Sequence, residues 1–435
     1  MIQLMILATV LQDLFTTTAD LLARLTGFIK RPNKLTGSAV AQTLVFRWLA
    51  NPKDTLENIA GALGVSPQAL QQHCPQAVPF FKALIAEALK RLFQFQAKAT
   101  KMGLLDAFDA VVLDDATTVK LPADLVKLFP GCGGNCSAGD AALKILLRYE
   151  LKSGRILAMT FHPGKTSDTT LAAQAEDLPR GTLYLADMGF FDAARLKLFH
   201  AAGQHWITRI QCKTRVKIGE KWQSQLEWLS DQTADVVDVA EAAIVASVGT
   251  PCRLVALRCP EEVTNRRRQK LRESSSKRQR TASALSLALC AWTIFATSVE
   301  AKVLSARAVW LAYRCRWQIE LLFKRAKQQC GWEFSHGKEG NRVLVELLAK
   351  ILGLVVIHWV ALSRGGPLSG VSVKKVLTKV VEFASQLGAS LSKGLDRVVE
   401  VLEAMLKELE RLRPQRPRIA KPSTRDLLFN PALAA

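Results

Sequence analysis

Several features that would indicate secretion, a zinc site or nucleotide use are missing from this sequence. Its nine cysteines are an odd number and lie scattered without a paired framework, which favours a reducing compartment over secretion. Cys132 and Cys136 have no second pair at a suitable spacing, so the sequence does not favour a zinc site. No Walker A pattern occurs either, so nothing in the sequence indicates the use of ATP.

Long hydrophobic runs are also missing. The apolar run from Met1 has no basic leader and meets Asp13 early, so it predicts an amphipathic helix rather than a signal peptide. The run 351–362 is about twelve residues long, whereas a transmembrane helix needs about 20. Both runs are therefore predicted to be core helices, and we expect a cytoplasmic protein without a membrane partner.

The balance of charge is strongly positive. The 435 residues include 59 Lys and Arg against 38 Asp and Glu, which gives a formal net charge of +21. A folded surface with this excess attracts a polyanion and binds it in a salt-dependent way. Ribosome-associated and membrane-surface proteins share such an excess, so composition alone leaves the partner open.

Four polar residues have a spacing that predicts one helical face. Tyr313, Arg316, Glu320 and Lys327 are separated by three, four and seven positions, so a continuous helix would place them on one stripe. The Glu320 carboxylate could bind a cation while Arg316 and Lys327 take phosphate oxygens. A helix with solvated ion pairs has the same spacing, so other segments must decide between the two interpretations.

Two other segments place carboxylates at the ends of predicted strands. The apolar run 111–113 leads into Asp114 and Asp115, and the apolar run 183–186 leads into Asp187. Carboxylates on two strand ends and on a later helix can converge on two divalent cations. One cation would activate the attacking oxygen, and the other would stabilise the leaving oxygen.

These segments resemble the signature blocks of the large DDE transposase family of bacterial insertion sequences. The likeness runs from about residue 30 to about residue 362. It rests on three blocks: Asp115 with Thr117, Leu121 and Pro122; Asp187 with Gly189 and Phe190; and the set Tyr313, Arg316, Glu320 and Lys327. We call the last four residues the Tyr-Arg-Glu-Lys set.

The resemblance implies an RNase H-like core that transfers DNA by a cut-and-paste route with Mg²⁺, for which Mn²⁺ would substitute. It implies that Asp115, Asp187 and Glu320 are the catalytic, metal-binding residues. Asp114 stays an alternative to Asp115, although the spacing to Pro122 favours Asp115. Tyr313 is expected to position a phosphate.

The partners implied are double-stranded DNA, as inverted transposon ends and as target, and a second copy of the chain in the DNA complex. A hairpin intermediate at the excised end is also implied, and the protein would be associated with the bacterial nucleoid. Two alternatives stay open. One is an RNase H-like metal-dependent nuclease without strand joining, and the other is a non-catalytic DNA-binding remnant.

The predicted fold class is α/β, with an RNase H-like mixed sheet, a β-rich insertion and helical regions before and after the core. Strands are expected near 110–115, 143–151, 155–161, 183–187 and 206–210, with the strands of Asp115 and Asp187 side by side. The predicted segments are a helical DNA-binding domain at 1–95, two parts of the core at 96–210 and 301–365, the insertion at 211–300, and a helical C-terminal region at 366–435 with a basic tail.

Residues 56–70 have the spacing of a helix-turn-helix, with Gly64 in the turn. Gln68 and Gln71, together with Gln72 and His73, would face base edges if this motif reads DNA. Ordinary helical hairpins show the same pattern, so plain packing is the alternative.

A dense run of positive charge lies between 266 and 280. Arg266, Arg267 and Arg268 begin it, and such a run would add salt-sensitive affinity for phosphates. The alternative is a solvated loop. The segment between 210 and about 281 is predicted to be turn-rich and strand-like.

Two tryptophans are candidates for stacking on a nucleotide base. In the resembling family a comparable Trp stacks on a base flipped out near the transposon end, which Trp292 matches, and Trp317 would stack beside it. Burial in the core is the alternative for both.

Beyond residue 366, apolar positions from Leu395 to Leu412 form a stripe near heptad spacing. The stripe would either pair with a second copy or dock on the chain's own core. The following basic segment 413–418 contains prolines that cannot continue a helix.

Overall fold

The computed structural model describes residues 2–31, 34–91, 101–131, 140–363, 373–411 and 424–429. Within them, the first compact unit comprises 2–31, 34–91, 116–131, 140–166, 319–363 and 373–411. The second comprises 101–115, 167–318 and 424–429. Cys132, Cys136 and the basic segment 413–418 lie outside the described residues.

The first unit begins with helices, as predicted. Their bounds are α1 Ile2–Asp13, α2 Ala19–Leu25, α3 Gly37–Ala50, α4 Leu56–Ala62, α5 Pro67–Gln72 and α6 Cys74–Arg91. Side chains fix several starts, because Thr36, Thr55 and Ser66 each accept a hydrogen bond from the backbone amide three residues ahead. These caps satisfy amides that a helix start otherwise leaves unpaired.

Helices α4 and α5 have the predicted helix-turn-helix arrangement. Gly64 lies in the turn with φ of +66°, a conformation that glycine adopts without strain. Ile59 and Leu70 are buried, whereas Leu63 and Val65 are only half-buried. Of these four apolar residues, only Ile59 and Leu70 thus contribute to the buried core.

Four of the five central strands match the predicted ones closely, whereas the first continues beyond its predicted end at residue 115 to Leu121. The elements here are β1 Ala110–Leu121, β2 Ala141–Glu150, β3 Arg155–Pro163, α7 Asp168–Leu171, β4 Thr182–Ala186, α8 Ala193–Ala201 and β5 His205–Arg209. Strand β1 begins in the second unit and continues into the first. In the first unit it is followed across the sheet by β2 and then by the antiparallel β3.

The second unit holds the rest of a mixed sheet, whose strand order is β1, β4, β5, β10, β9, β8, β6, β7. Its further elements are β6 Val216–Ile218, β7 Lys221–Gln223, α9 Gln225–Ser230, β8 Val236–Ile244, β9 Thr250–Arg258, α10 Glu261–Lys277, α11 Ala284–Leu289 and β10 Trp292–Thr297. Strands β1, β4 and β5 run parallel, and β10 is antiparallel to β5.

The strand-like interpretation of the segment up to residue 281 is wrong for its last part. Residues 261–277 form helix α10, and the basic run lies mostly on this helix rather than in a loop. Its first turn contains two glutamates and its last turn a lysine, so the charges at both ends interact favourably with the helix dipole. The polarity of the segment reflects an exposed helix.

The remaining helices are α12 Ala306–Arg314, α13 Trp317–Gln329, α14 Gly340–Ser363, α15 Val373–Ser390, α16 Leu395–Glu410 and α17 Thr424–Phe429. In the first unit, α14 packs on α3 and α6 and is buried along nearly its whole length. The prediction of a core helix at this position is confirmed. The helix is longer than the apolar run indicated, so its burial, rather than its length, shows that it is a core helix.

Two described stretches have the length and apolar composition of a membrane span. They are Ile2–Leu25 and Gly340–Ser363, whose apolar windows are 39% and 94% buried. Core helices and N-terminal signal sequences share these properties. The burial of the second stretch makes it a core helix of the first unit.

The apolar stripe of the C-terminal region docks on its own chain. Val398, Leu402, Met405 and Leu409 of α16 are buried, and α16 packs against α1 and α15 within the first unit. Of the two predicted uses of this stripe, the structure supports the intramolecular one.

Candidate active site

Two predicted carboxylates lie on neighbouring parallel strands in the second unit. Asp187 directly follows the end of β4, as predicted, whereas Asp115 lies in the middle of β1, which continues to Leu121, so the prediction that Asp115 ends its strand is wrong. Strands β1 and β4 pair in register up to Asp114 opposite Ala186, so Asp115 and Asp187 continue the same register. Side chains alternate between the two faces of a strand. Asp115 and Asp187 therefore project towards one face, and Asp114 towards the other. The predicted neighbourhood of these strands is confirmed.

Asp114 is buried and hydrogen-bonded within the fold. It is fully buried, and its Oδ2 accepts hydrogen bonds from the amide of Ala173 at 2.9 Å and the hydroxyl of Tyr184 at 3.1 Å. Asp115 is only half-buried. Of the two adjacent carboxylates, Asp114 thus joins the strand to the segment around Ala173, whereas Asp115 lies nearer to solvent.

The chain turns sharply after Asp187. Residues 188–190 form a single 3₁₀ turn directly after the strand end. A Cβ atom at Gly189 would come within 2.8 Å of Oδ2 of Asp168, so a side chain at this position would collide with that carboxylate. The Asp-x-Gly pattern is therefore explained by packing around the strand end.

Tyr313 lies beside this strand end. Its hydroxyl donates to the carbonyl of Ala186 at 3.3 Å, and its ring packs on Phe295. Burial raises the pKa of Tyr313 to about 12, while the charge of Arg316 opposes the shift and that of Asp187 adds to it. The phenol is therefore neutral near pH 7 and acts as a hydrogen-bond donor next to Asp187.

Arg209 is a site residue that the sequence did not reveal. It ends β5, whose register with β4 pairs Leu185 with Ile207, so Arg209 continues that register beside Asp187. Arg209 also lies near enough to lower the pKa of Tyr313. Its Nε is buried and has no hydrogen-bond partner among the described residues. Only the pairing of β4 with β5 could have identified it.

The prediction of one continuous helix through the Tyr-Arg-Glu-Lys set is wrong. Tyr313 is on α12, Glu320 and Lys327 are on α13, and Arg316 lies in the turn between them. The amides of Cys315 and Arg316 each bond to the carbonyl three residues back. This 3₁₀-type winding is tighter than an α-helix, so ideal helical offsets do not apply across it.

Glu320 and Lys327 belong to the first unit. Glu320 is half-buried near the start of α13. The ammonium of Lys327 donates to the carbonyl of Thr118 at 3.2 Å and pairs with Glu333 at 2.6 Å. The ammonium of Lys327 thus contacts two oxygen atoms of the protein.

No group of three or more His, Cys, Asp or Glu side chains in the described part of the chain is arranged to hold a metal ion. In proteins, Mg²⁺ is usually bound by one or two carboxylates together with substrate phosphates. Asp115 in β1 and Asp187 directly after β4 are oxygen donors of this kind on neighbouring strands. The donor chemistry there fits a hard divalent cation.

The family model described as "Transposase DDE domain" matches residues 106–356, which is more than half of the chain. The chain belongs to the DDE transposase family. This confirms the family predicted from the residues. Members of the family carry nuclease and strand-transfer activity and generally depend on a divalent metal.

Curated relatives agree with this assignment. The chain is 28% identical over 333 residues to the transposase for insertion sequence element IS231B of Bacillus thuringiensis subsp. berliner, covering 70% of this chain and 69% of the relative. The transposase for IS231F of B. thuringiensis subsp. israelensis is 26% identical over 359 residues, covering 77% and 75%. The transposase for IS1151 of Clostridium perfringens is 22% identical over 328 residues, covering 70% and 69%.

The two candidate tryptophans of this transposase differ in exposure. Trp292 is buried in β10, and the guanidinium of Arg258 lies 4.3 Å from the centre of its ring. Trp317 is 51% exposed at the start of α13. A base could stack on Trp317 directly, whereas stacking on Trp292 would require Arg258 to move.

The basic residues at the start of the charge run have different roles in the structure. Arg267 donates to Sγ of Cys259 at 2.9 Å, to the carbonyl of Trp292 at 3.1 Å and to the hydroxyl of Thr293 at 2.9 Å. Nε of Arg268 donates to a carbonyl of α11 at 3.1 Å. Arg266 is exposed and pairs with a glutamate one turn earlier. Arg267 and Arg268 therefore hold α10 in place.

The residues of the transposase proposed to face base edges lie on α5. Gln68 and Gln71 are exposed, as is Gln72. His73 is half-buried and packs edge-on against Phe28. The three glutamines are thus accessible to a ligand, whereas His73 contributes to packing.

Proposed function

We propose that this transposase performs cut-and-paste transfer of an insertion sequence. It binds the inverted ends of the element, hydrolyses a phosphodiester at each end, and joins the freed 3′-hydroxyl to target DNA. The observation that carries this proposal is the placement of Asp115 in β1 and of Asp187 directly after β4, on one face of these neighbouring parallel strands, with Tyr313 beside Asp187.

The proposed metal ligands are Asp115, Asp187 and Glu320, with Mg²⁺ as the natural ion and Mn²⁺ as a substitute. When bound, the metal ions would lower the pKa of the attacking water and stabilise charge on the leaving oxygen. The core is proposed to be RNase H-like. The parallel order of β1, β4 and β5 and the antiparallel pairing of β2 with β3 support this.

The protein's own residues bind and orient the DNA strand. Tyr313 positions a phosphate once its hydroxyl, which donates to the carbonyl of Ala186 in the free protein, turns to a phosphate oxygen. Arg316 and Lys327 bind further anionic oxygens. Arg209 adds positive charge next to Asp187. Because charge develops on phosphoryl oxygens during cleavage, donors fixed in place before the reaction stabilise the transition state. A hairpin at the excised end is proposed as an intermediate.

Further contacts are proposed to supply affinity and sequence preference. Gln68 and Gln71 on α5 read base edges, Trp317 stacks on a base, and Trp292 does so once Arg258 moves. Arg266 and the exposed basic residues later in α10 bind phosphates. Two copies of the chain act on two ends, in the cytoplasm at the nucleoid.

The decisive experiment incubates the full chain with a duplex carrying the element's terminal repeat and with a separate target plasmid. We expect cleavage at the repeat and joined products with Mg²⁺, and neither after chelation by EDTA. Cleavage without joining would identify a nuclease, and binding without cleavage would identify a non-catalytic remnant. Either result would overturn the proposal.

Helix α10 provides a separate test of DNA binding. We expect the double variant Lys270→Ala, Arg272→Ala to bind every DNA sequence less tightly and to flatten the dependence of affinity on salt, by about 0.9 in logarithmic slope for each phosphate that is no longer neutralised. Lys270 and Arg272 are exposed, so removing them should leave stability nearly unchanged.

Arg267→Ala is the contrasting variant, because Arg267 bonds to β10 and to Cys259. We expect it to lower the midpoint of thermal unfolding. Fluorescence anisotropy at several salt concentrations measures the binding of both variants. An unchanged slope for the Lys270→Ala, Arg272→Ala protein would exclude these two residues from the DNA contact.

A further inference from the structure

The ammonium proposed to bind phosphate already has an anionic partner. Lys327 pairs with Oε1 of Glu333 at 2.6 Å and donates to the carbonyl of Thr118 at 3.2 Å. An ammonium has three hydrogens to donate, and two of these have protein acceptors here. The Lys327 side chain is 24% exposed and that of Glu333 57% exposed. A ligand could therefore reach the ammonium from the side on which Glu333 lies.

Glu333 belongs to a short loop, residues 331–336, that follows α13 and is fixed from inside the first unit. Nζ of Lys350 donates to the carbonyls of Gly331 at 3.1 Å and Phe334 at 2.7 Å, and it pairs with Glu346 at 2.7 Å. The side chains of Lys350 and Glu346 are 1% and 4% exposed. A buried charge pair thus holds the backbone on both sides of Glu333.

Further contacts fix the end of the same loop. Oε2 of Glu346 accepts from the hydroxyl of Ser335 at 2.6 Å, and the ring nitrogen Nε2 of His336 lies 3.0 Å from the carbonyl of Lys53. The centre of the Phe334 ring lies 5.5 Å from the ammonium of Lys53 and 5.6 Å from that of Lys350. The backbone around Glu333 is therefore well fixed, although the carboxylate itself is exposed.

We propose that Glu333 is a positioning residue that pairs with Lys327 until DNA binds. In the free protein its carboxylate binds the ammonium at the position that a phosphate oxygen would take, and so keeps the ammonium in place. A phosphate of the bound DNA then displaces it. This inference depends on the proposed role of Lys327 as a phosphate ligand.

The displacement has a small energetic cost, because an exposed ion pair contributes little and water solvates the released carboxylate. The fixed backbone keeps that carboxylate close to the incoming phosphate, so their repulsion weakens binding. Glu333 therefore lowers the affinity of the protein for DNA that makes few other contacts. DNA that engages the rest of the protein can overcome this repulsion.

The test compares Glu333→Gln with Glu403→Gln in the full chain. Glu403 is an exposed glutamate of α16, so the control changes net charge equally in the same unit. We expect Glu333→Gln to bind scrambled duplex about two- to fivefold more tightly than the control at low salt, with the difference shrinking as salt rises. Lys327 should also react faster with an amine-directed acylating reagent, as measured by peptide mass spectrometry.

The same comparison made in a chain that carries Lys327→Met distinguishes the role of Glu333 from the proposed phosphate role of Lys327. With Lys327 absent, no phosphate is bound beside Glu333, so neither the ion pair nor the repulsion remains, and Glu333→Gln should have no effect beyond that of the control. If Glu333→Gln matches the control while Lys327→Met weakens binding and cleavage, the role of Glu333 is overturned and the phosphate role of Lys327 stands. If Lys327→Met leaves both binding and cleavage unchanged, both proposals are overturned.

Discussion

Replacing Asp187 with Ala should abolish cleavage of transposon-end DNA, and the same loss is expected for Asp115→Ala and Glu320→Ala. The physical reason is that a methyl group cannot coordinate a cation, whereas a carboxylate can. Binding of end DNA should persist, because it depends mainly on contacts to phosphates and base edges. Gel analysis of nicked and cleaved duplex, together with a binding titration of each variant, measures both properties.

Asp114→Ala is the matched control, because Asp114 is the adjacent carboxylate on the opposite face of β1. Its loss leaves the amide of Ala173 and the hydroxyl of Tyr184 without their acceptor. We expect lower stability, by about 1–3 kcal/mol for each buried group left unsatisfied, with cleavage retained by the folded fraction. An inactive but stable Asp114→Ala protein beside an active Asp115→Ala protein would assign the metal ligand to Asp114.

Part of the arrangement at Asp115 and Asp187 was predictable from sequence because its signal is local. The apolar runs before these two residues define buried strands, and Asp187 follows the end of β4. Strand β1, in contrast, continues past Asp115 to Leu121, which the sequence did not indicate. The side-by-side placement of the two strands was also predictable, because the order of strands and helices in the resembling family implies it. Because Asp115 and Asp187 continue the register in which β1 pairs with β4, both side chains point towards the same face of the sheet.

Arg209 was not predictable in this way. It ends an apolar strand like many other residues, and only its register with β4 brings it beside Asp187. That register depends on contacts between distant parts of the chain, which a single sequence does not record. The same limit applies to Arg267. Its position in a run of basic residues predicts exposure to solvent, whereas its guanidinium donates hydrogen bonds to β10.

The Tyr-Arg-Glu-Lys set shows a different limit. Its spacing fits an ideal α-helix, and nothing in residues 313–320 is a helix breaker such as proline or glycine. The turn at Cys315 and Arg316 arises where Tyr313 is held by Ala186 and Phe295 and Cys315 is fully buried. Tertiary packing therefore determined the local winding, and helical propensity alone could not predict it.

Lys350→Met is expected to destabilise the first unit strongly. It would leave the carboxylate of Glu346 buried without its partner, and breaking a buried ion pair typically lowers the free energy of unfolding by about 3–5 kcal/mol. The carbonyls of Gly331 and Phe334 would also lose their donor. Urea unfolding followed by circular dichroism measures the change.

The double variant Lys350→Met, Glu346→Leu tests the cause of that loss. Removing both charges together should restore a large part of the stability, because no unpaired charge remains in the interior, although the two loop carbonyls stay without a donor. The exposed pair of Arg266 and Glu262 is the comparison, and Arg266→Met should change stability by less than about 1 kcal/mol. If Lys350→Met unfolds at the same urea concentration as Arg266→Met, the buried pair is not what holds the loop of Glu333 in place.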